Sequence, residues 1–314
     1  MKRLFACLLA GLALVLPVRA EPIRWVDFDV STESMAYAMQ QDIRTAEQEK
    51  HLSWIEILAL AACRTGGKCP LSAVKKAAKD LEGDVSPEEA AGELGKYYAY
   101  YYEAYSAALG GLVGSYAIFK DGQWVPQYGL KTFSPIAAGY GYSHCDDFGV
   151  GRSFGFKRKH LGNDLMGGLG TPIVAVEGGI VEAMGWNRYG GWRVGIRSFD
   201  GKRYYYYAHL QKDRPFAPGL EIGDQVDAGQ LIGFMGRSGY SDKENVNNIE
   251  VVHLHFGLEL IFDEGQKECN SEIWIDVYQL VRLLSAHRSS YQKTDRGWER
   301  VYPYKDLDWA EFPI

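Results

Sequence analysis

Near Gly110-Gly111 the chain of 314 residues changes its hydrophobic period, and that change restricts it to a fold in which helices come first and strands follow. From Ser31 to about Gly111 helix signals run on with almost no strand signal. Ser53 precedes the apolar run Trp54-Ile55-Glu56-Ile57-Leu58-Ala59-Leu60-Ala61-Ala62, which stops at Gly66-Gly67. Ser86-Pro87-Glu88-Glu89 supplies a cap serine, a proline in the first turn and a following glutamate, so a helix is predicted to start there and continue through the tyrosines at 97–102. Those tyrosines are expected to pack half-buried with wet hydroxyls rather than to form a ligand face. Beyond Gly111 the signals are short. Asp121-Gly122 and Asp200-Gly201 each separate two apolar runs and read as hairpin turns, and the runs 172–176 and 180–183 add strands between glycines. One more helix is predicted from Ile275 to about Ala286. The fold class is α+β: an N-terminal helical bundle, then a mostly antiparallel β-sheet or barrel sandwich, and not a parallel α/β fold.

The leader narrows the cellular setting. Lys2 and Arg3 precede an apolar run from Leu4 to Leu16, and Val18-Arg19-Ala20 places small residues for cleavage after Ala20. The run is shorter than the roughly 20 residues that span a bilayer, so a secretory signal is expected and no stable membrane span. Cys7 stands at the start of the run, which argues against lipidation. The formal charge is −6 and becomes more acidic without Lys2, Arg3 and Arg19, so a generic nucleic-acid surface is excluded. Cys63, Cys69, Cys145 and Cys269 remain, for which a disulfide or free buried thiols is expected, the pairing open.

Four of the seven histidines sit at spacings that metal chemistry uses. His160-Leu161-Gly162-Asn163-Asp164 offers an imidazole and a carboxylate that a tight turn can converge. His253-Leu254-His255 lies in an apolar strand, where alternate residues share one face, so both imidazoles project together. His209 closes the strand that ends at Ala208. Two same-face imidazoles are costly to bury without a partner. Together these groups supply two imidazoles and a carboxylate as ligands with two imidazoles to spare, the donor set of a catalytic zinc site with an open position. His144-Cys145-Asp146-Asp147 packs four potential ligands but is expected to be a solvated turn rather than a second metal site. His51 and His287 are expected in helices, as ordinary surface or boundary residues.

His160-Leu161-Gly162-Asn163-Asp164 resembles the HxGxD motif of the lysostaphin/LytM-type peptidoglycan metalloendopeptidases. Tyr207-Ala208-His209-Leu210 resembles their central histidine strand, and His253-Leu254-His255-Phe256 their HxH strand. The runs 170–175 and 223–233 are similar to the family's turn-and-strand pattern. The resemblance covers about Asp146 to Leu260 and implies the duplicated hybrid motif fold. It further implies that His160, Asp164 and His255 bind zinc while His209 and His253 act on water and the reacting carbonyl, in an order left open. The stretch 237–245 is longer and more charged than the family's loop before HxH, which bears on substrate specificity. No HExxH motif occurs, so a carboxylate general base of that type is excluded.

The resulting expectation is a signal peptide at 1–20, a helical domain at 21–112, a metallopeptidase domain at 113–285 with its core at 146–260, and a tail at 286–314. The function expected is a zinc endopeptidase, secreted or in the cell envelope, that cuts peptide bonds in bacterial peptidoglycan. The alternative is a non-hydrolytic wall-binding or amidase-activating scaffold of the same fold. A closed four-ligand structural zinc site is disfavoured.

Overall fold

The computed structural model describes residues 23–267, 271–295 and 297–308. The expected leader, Cys269 and the end of the tail lie outside these residues.

Five helices open the described chain: α1 (Thr32–Thr45), α2 (Trp54–Thr65), α3 (Leu71–Leu81), α4 (Pro87–Ala91) and α5 (Gly95–Leu109). Their ends follow the sequence signals with two changes. Ser86 and Glu89 form the full reciprocal cap expected of them. The helix predicted to run on from Ser86 instead breaks at Gly92, whose φ of +55° and ψ of −124° no helix accepts, and a 3-10 turn over Gly92–Leu94 leads into α5. Ser53 makes no side-chain cap for α2. Asp42 from α1 does so in its place, its Oδ2 accepting the Trp54 N–H at 2.8 Å. Of the tyrosines, Tyr98 and Tyr105 are buried and Tyr97 and Tyr102 exposed. Cys63 and Cys69 are buried thiols in no disulfide, and Cys145 is also a free thiol.

The strands follow: β1 (Val113–Lys120), β2 (Gln123–Leu130), β3 (Tyr142–His144), β4 (Gly151–Phe154), β5 (Phe156–Lys159), β6 (Asn163–Gly167), β7 (Pro172–Val174), β8 (Gly179–Asn187), β9 (Gly191–Ser198), β10 (Arg203–Ala208), β11 (Gln225–Val226), β12 (Leu231–Phe234) and β13 (His253–Leu260). Then come α6 (Glu264–Lys267), β14 (Ile273–Ile275), α7 (Tyr278–Leu284), β15 (Tyr291–Thr294), β16 (Gly297–Arg300) and β17 (Tyr304–Asp306). Both hairpins predicted at Asp121-Gly122 and Asp200-Gly201 form. The helix expected from Ile275 is shorter. Ile273–Ile275 pairs with β13 as a strand, because this alternating apolar run buries Ile273 and Ile275 against the sheet, and α7 starts only after Asp276 accepts the Tyr278 N–H at 2.9 Å.

The main sheet runs β11-β8-β9-β10-β13-β6-β3, with β14 beside β13, and every pairing in it is antiparallel. It does not close: β11 and β3 are separate edges, so the barrel expected as one form of the sandwich is replaced by an open sheet. β1, β2 and β17 form a second sheet. One buried apolar cluster extends from Trp54, Ile57 and Leu58 of α2 through Tyr205 and Phe256 of the sheet to Leu280 and Leu284 of α7. A buried ion network crosses the same boundary. Arg203, fully buried, donates to the Ala107 carbonyl at the end of α5 at 2.7 Å, and to Glu177 at 2.7 and 3.1 Å. Asp200 and the Tyr205 hydroxyl complete the network.

Candidate active site

Three neighbouring strands and one turn deliver the five residues singled out from sequence. In the β13/β6 register His255 stands opposite Asp164, and in the β13/β10 register it stands opposite Ala208, so His209 emerges beside it. His253 shares its face, two residues along. His160 arrives on the turn before β6. That turn needs Gly162, since a Cβ there would lie 2.6 Å from the Phe256 carbonyl oxygen and 2.8 Å from the His255 ring. His209 has a φ of +60°, a left-handed backbone uncommon for a residue with a side chain.

The ligand atoms converge. His160 Nε2 lies 2.7 Å from His255 Nδ1 and 3.1 Å from Asp164 Oδ1, and His255 Nδ1 lies 3.3 Å from that oxygen. Three acceptor atoms stay this close only with protons or a cation among them. A tetrahedral zinc with bonds of about 2.0–2.2 Å spaces its ligands ~3.3 Å apart, so the donor set and its spacing suit such an ion. Among the described residues these three form the group of His, Cys and acidic side chains able to hold a metal. Burial alone would raise the Asp164 carboxyl, but hydrogen bonds with His160 and His255 and the charges of His253 and His255 hold it well below the usual carboxylate range.

The outer atoms of each imidazole are fixed by further partners. His160 Nδ1 faces the Asp147 carbonyl at 3.0 Å and its carboxylate at 3.2 Å, which assigns the proton to Nδ1 and the lone pair to Nε2. Arg152 reaches Asp147 at 2.6 Å and Asp164 Oδ2 at 3.2 Å, binding both carboxylates. His209 Nδ1 donates to the Ser238 carbonyl at 2.9 Å, and His253 Nδ1 to the Val251 carbonyl at 2.9 Å, so each turns an Nε2 lone pair inward. Their ring centres are 4.8 Å apart. Burial first, then the neighbouring His253 and His255, pushes His209 well below the ordinary histidine pKa, which keeps it neutral and able to accept a proton.

These groups line a cleft of about 350 Å³ whose other walls include Arg158, Lys159, Tyr189, Tyr206 and Tyr240. The β4–β5 hairpin forms one side: Phe154 stacks on Tyr240 at 5.0 Å, and the Arg158 guanidinium lies 4.7 Å over Tyr189. The long stretch 237–245 supplies Tyr240 to the cleft and is tied down through Asn245, which accepts from Trp192 Nε1 at 2.9 Å.

All five candidate residues therefore meet at one place. The His144-Cys145-Asp146-Asp147 cluster does not assemble. His144 packs at a tilt on Tyr278 with ring centres 4.6 Å apart, and Asp147 alone turns toward the site. His51 and His287 lie outside helices: His51 bonds Asp42 at 2.9 Å and His287 stacks on Phe133 at 4.4 Å. Sequence reasoning missed Asp147 as the partner of His160, along with Arg152, Ser238 and the tyrosines of the cleft. Asp147 carried a signal in its acid-rich turn. The others carried none, because strand pairing and loop packing bring them in from a distance.

Known proteins are similar to the segment that carries this geometry. The chain is 37% identical over 159 residues to the L-Ala–D-Glu endopeptidase of Bacillus subtilis, covering 51% of this chain and 45% of that protein. It is 33% identical over 135 residues to lysostaphin of Staphylococcus simulans, covering 43% of this chain and 22% of that protein. It thus spans less than half the length of these curated relatives. The crystal structure of a lytM protein from Ruminococcus gnavus shares the fold, with a TM-score of 0.54 at 24% identity over 87% of this chain and 94% of that one. The sequence model of Peptidase family M23 matches residues 158–268, a span that holds all five residues of the site. Over that segment, about a third of its length, the chain is similar to Peptidase family M23.

Proposed function

We propose that this protein is a zinc-dependent endopeptidase that cuts peptide bonds in the stems or cross-bridges of peptidoglycan, acting outside the cytoplasm, secreted or in the cell envelope. The observation that carries the reading is the convergence of His160 Nε2, Asp164 Oδ1 and His255 Nδ1 within hydrogen-bond distance of one another at the floor of a cleft. The relatives support the substrate class, being named for endopeptidase action and lysis. No helix among the described residues is long and apolar enough to cross a membrane.

His160, Asp164 and His255 would hold the ion, which when bound supplies a Lewis acid and a water whose pKa falls toward about 7. The rest is done by the chain. The inward Nε2 of His209 or His253 accepts a proton from water as it attacks the peptide carbonyl, and the same nitrogen, now N–H, delivers it to the leaving amine. The Ser238 and Val251 carbonyls keep both rings turned inward throughout.

We read residues 113–285 as the peptidase domain with its core at 146–260, and 21–112 as a helical domain that holds the enzyme near its substrate. Among the described residues the cleft is lined by residues from 152 to 255 and by none from the helical segment, which favours a role for that segment away from the cleft. The test is release of new amino termini from purified cell walls, lost on chelation and restored by zinc. Walls that bind the zinc-loaded protein without yielding amino termini would instead identify a scaffold.

A further inference from the structure

A second cavity, of about 620 Å³, lies beside the β1–β2 hairpin and shares no lining residue with the histidine cleft. Its size is within the roughly 300–1,000 Å³ typical of ligand sites. The walls are aromatic. Phe133 lies flat against His287 at 4.4 Å, Tyr116 stacks on Tyr304 at 5.5 Å, and Phe133 meets Tyr304 edge-on at 5.4 Å. Phe119 and Tyr302 are exposed at the rim, 42% and 67% accessible.

Arg300 enters this box with its guanidinium 5.0 Å from the centres of both Phe133 and Tyr304. Among the described residues its guanidinium makes no hydrogen bond and no close ion pair, and the acid that acts on it electrostatically is Asp227, outside this cavity's lining. Arg288 beside it differs, since its Nε and Nη2 are spent on the Ile136, Ala137 and Tyr140 carbonyls at 2.6–3.0 Å. The Ser289 hydroxyl, 3% exposed, also lines the cavity without a partner. Lys120, Arg288 and Arg300 face a single lining acid, Asp121.

A guanidinium held between two rings with its N–H fork unspent is placed for a planar anion, and a carboxylate matches it in bidentate fashion. Partly desolvated donors without acceptors are a cost that such a ligand removes. The surrounding rings suit an apolar body attached to that carboxylate.

We propose that this cavity is a second binding site, for a carboxylate-bearing peptide segment of the cell wall, with Arg300 gripping the carboxylate and the rings covering the adjoining aliphatic part. The peptide's source rests on the reading of the wall as substrate; the anion site itself rests on Arg300 and its surroundings.

The test is co-sedimentation with purified peptidoglycan at low ionic strength, in a His209→Ala background so that the walls stay intact. Arg300→Gln should weaken binding about tenfold or more, as loss of a charge-assisted bidentate bond does. Arg300→Lys should restore only part of it. Converting the wall carboxylates to amides should remove the difference between the Arg300→Gln protein and its parent. Tyr302→Ala, at the exposed rim, should weaken binding in the same direction with an unchanged melting temperature, which separates the effect from misfolding. Parental binding by Arg300→Gln on untreated walls overturns the proposal, as does an Arg300→Gln defect that persists undiminished on amidated walls. A chain that binds walls through Arg300 yet cuts nothing would sink the peptidase reading and leave this one standing.

Discussion

The Asp42 cluster between the first two helices and the Asp164 cluster on the sheet both bury a carboxylate against histidine, and they come to opposite ends. At Asp42 every acceptor is answered from within: Oδ1 takes His51 at 2.9 Å and the Tyr128 hydroxyl at 2.8 Å, and Oδ2 takes the Trp54 N–H. At Asp164 Arg152 answers Oδ2, but toward Oδ1 the imidazoles can donate only by taking up an extra proton. His160 has its donor committed to Asp147, His209 to Ser238 and His253 to Val251, and the inward nitrogens are lone pairs. A buried aspartate beside a histidine is thus no mark of a site by itself. The surplus of lone pairs is the mark, because it is the arrangement a cation from outside would satisfy.

The largest test of this contrast is removal of a ligand. His160→Ala, Asp164→Ala and His255→Ala should each lose stoichiometric zinc and bring wall hydrolysis to background, since two remaining ligands hold the ion weakly. Near-stoichiometric zinc retained by any one of them, by elemental analysis, would break the assignment. Next come the inward bases: His209→Ala and His253→Ala should keep zinc and lose about 10²-fold or more in rate. Loss of metal from either would exchange the ligand and proton-transfer roles of the His253/His255 pair.

On the other side of the comparison, Asp42→Ala should leave zinc content and activity per folded molecule unchanged. It should cost about 2–4 kcal/mol in a denaturant titration, because it strands the Trp54 N–H and Tyr128 hydroxyl and uncaps a helix. A stability change below about 0.5 kcal/mol would place it with ordinary surface substitutions and end the contrast.

The smallest effect concerns Glu259, on the same strand as the paired histidines. Burial, with the charge of Glu272 second, raises its carboxyl from 4.5 to about 7. The folded state then binds the proton more tightly than the unfolded, so Glu259 supports stability at low pH, and that support is lost as pH rises from about 4.5 through about 7. Glu259→Gln should be neutral near pH 5 and more stable than the parent at pH 8, by up to about 3 kcal/mol. Equal pH dependence of the two melting temperatures would remove Glu259 as its source.

Four of the five candidate residues were legible because their spacing is local: a turn of His160 to Asp164 and a strand of His253 to His255 each bring two groups together, whereas His209 offered only its place at a strand end. The hairpins were legible for the same reason, each carrying its turn signal at Asp-Gly. What stayed hidden depends on contacts distant in sequence. Asp42 capping α2 in place of Ser53, Arg152 reaching Asp147 and Asp164, and Ile273–Ile275 joining the sheet edge instead of a helix are all decided by tertiary neighbours. Sheet closure stayed open between sheet and barrel, since the strand pattern fixes an alternation but not whether the last edge meets the first.

Arg203 gives the molecule a thermodynamic property that its helices and strands do not suggest separately. Its guanidinium sits at the seam, bonded on one side to Glu177 and Asp200 of the sheet region and on the other to the last carbonyls of α5. If the helices melted first, that buried cation would keep its counter-charges but lose carbonyl partners and gain water only after the seam opened, and breaking a buried network on one side costs several kcal/mol. Helices and sheet are therefore tied into one cooperative unit, and calorimetry should record a single unfolding peak rather than a helical step followed by a sheet step. Two resolved transitions would mean that the seam can part without that cost. On this account the helical segment is inherited with the sheet and cannot be exchanged for another unless the replacement also offers carbonyls to Arg203.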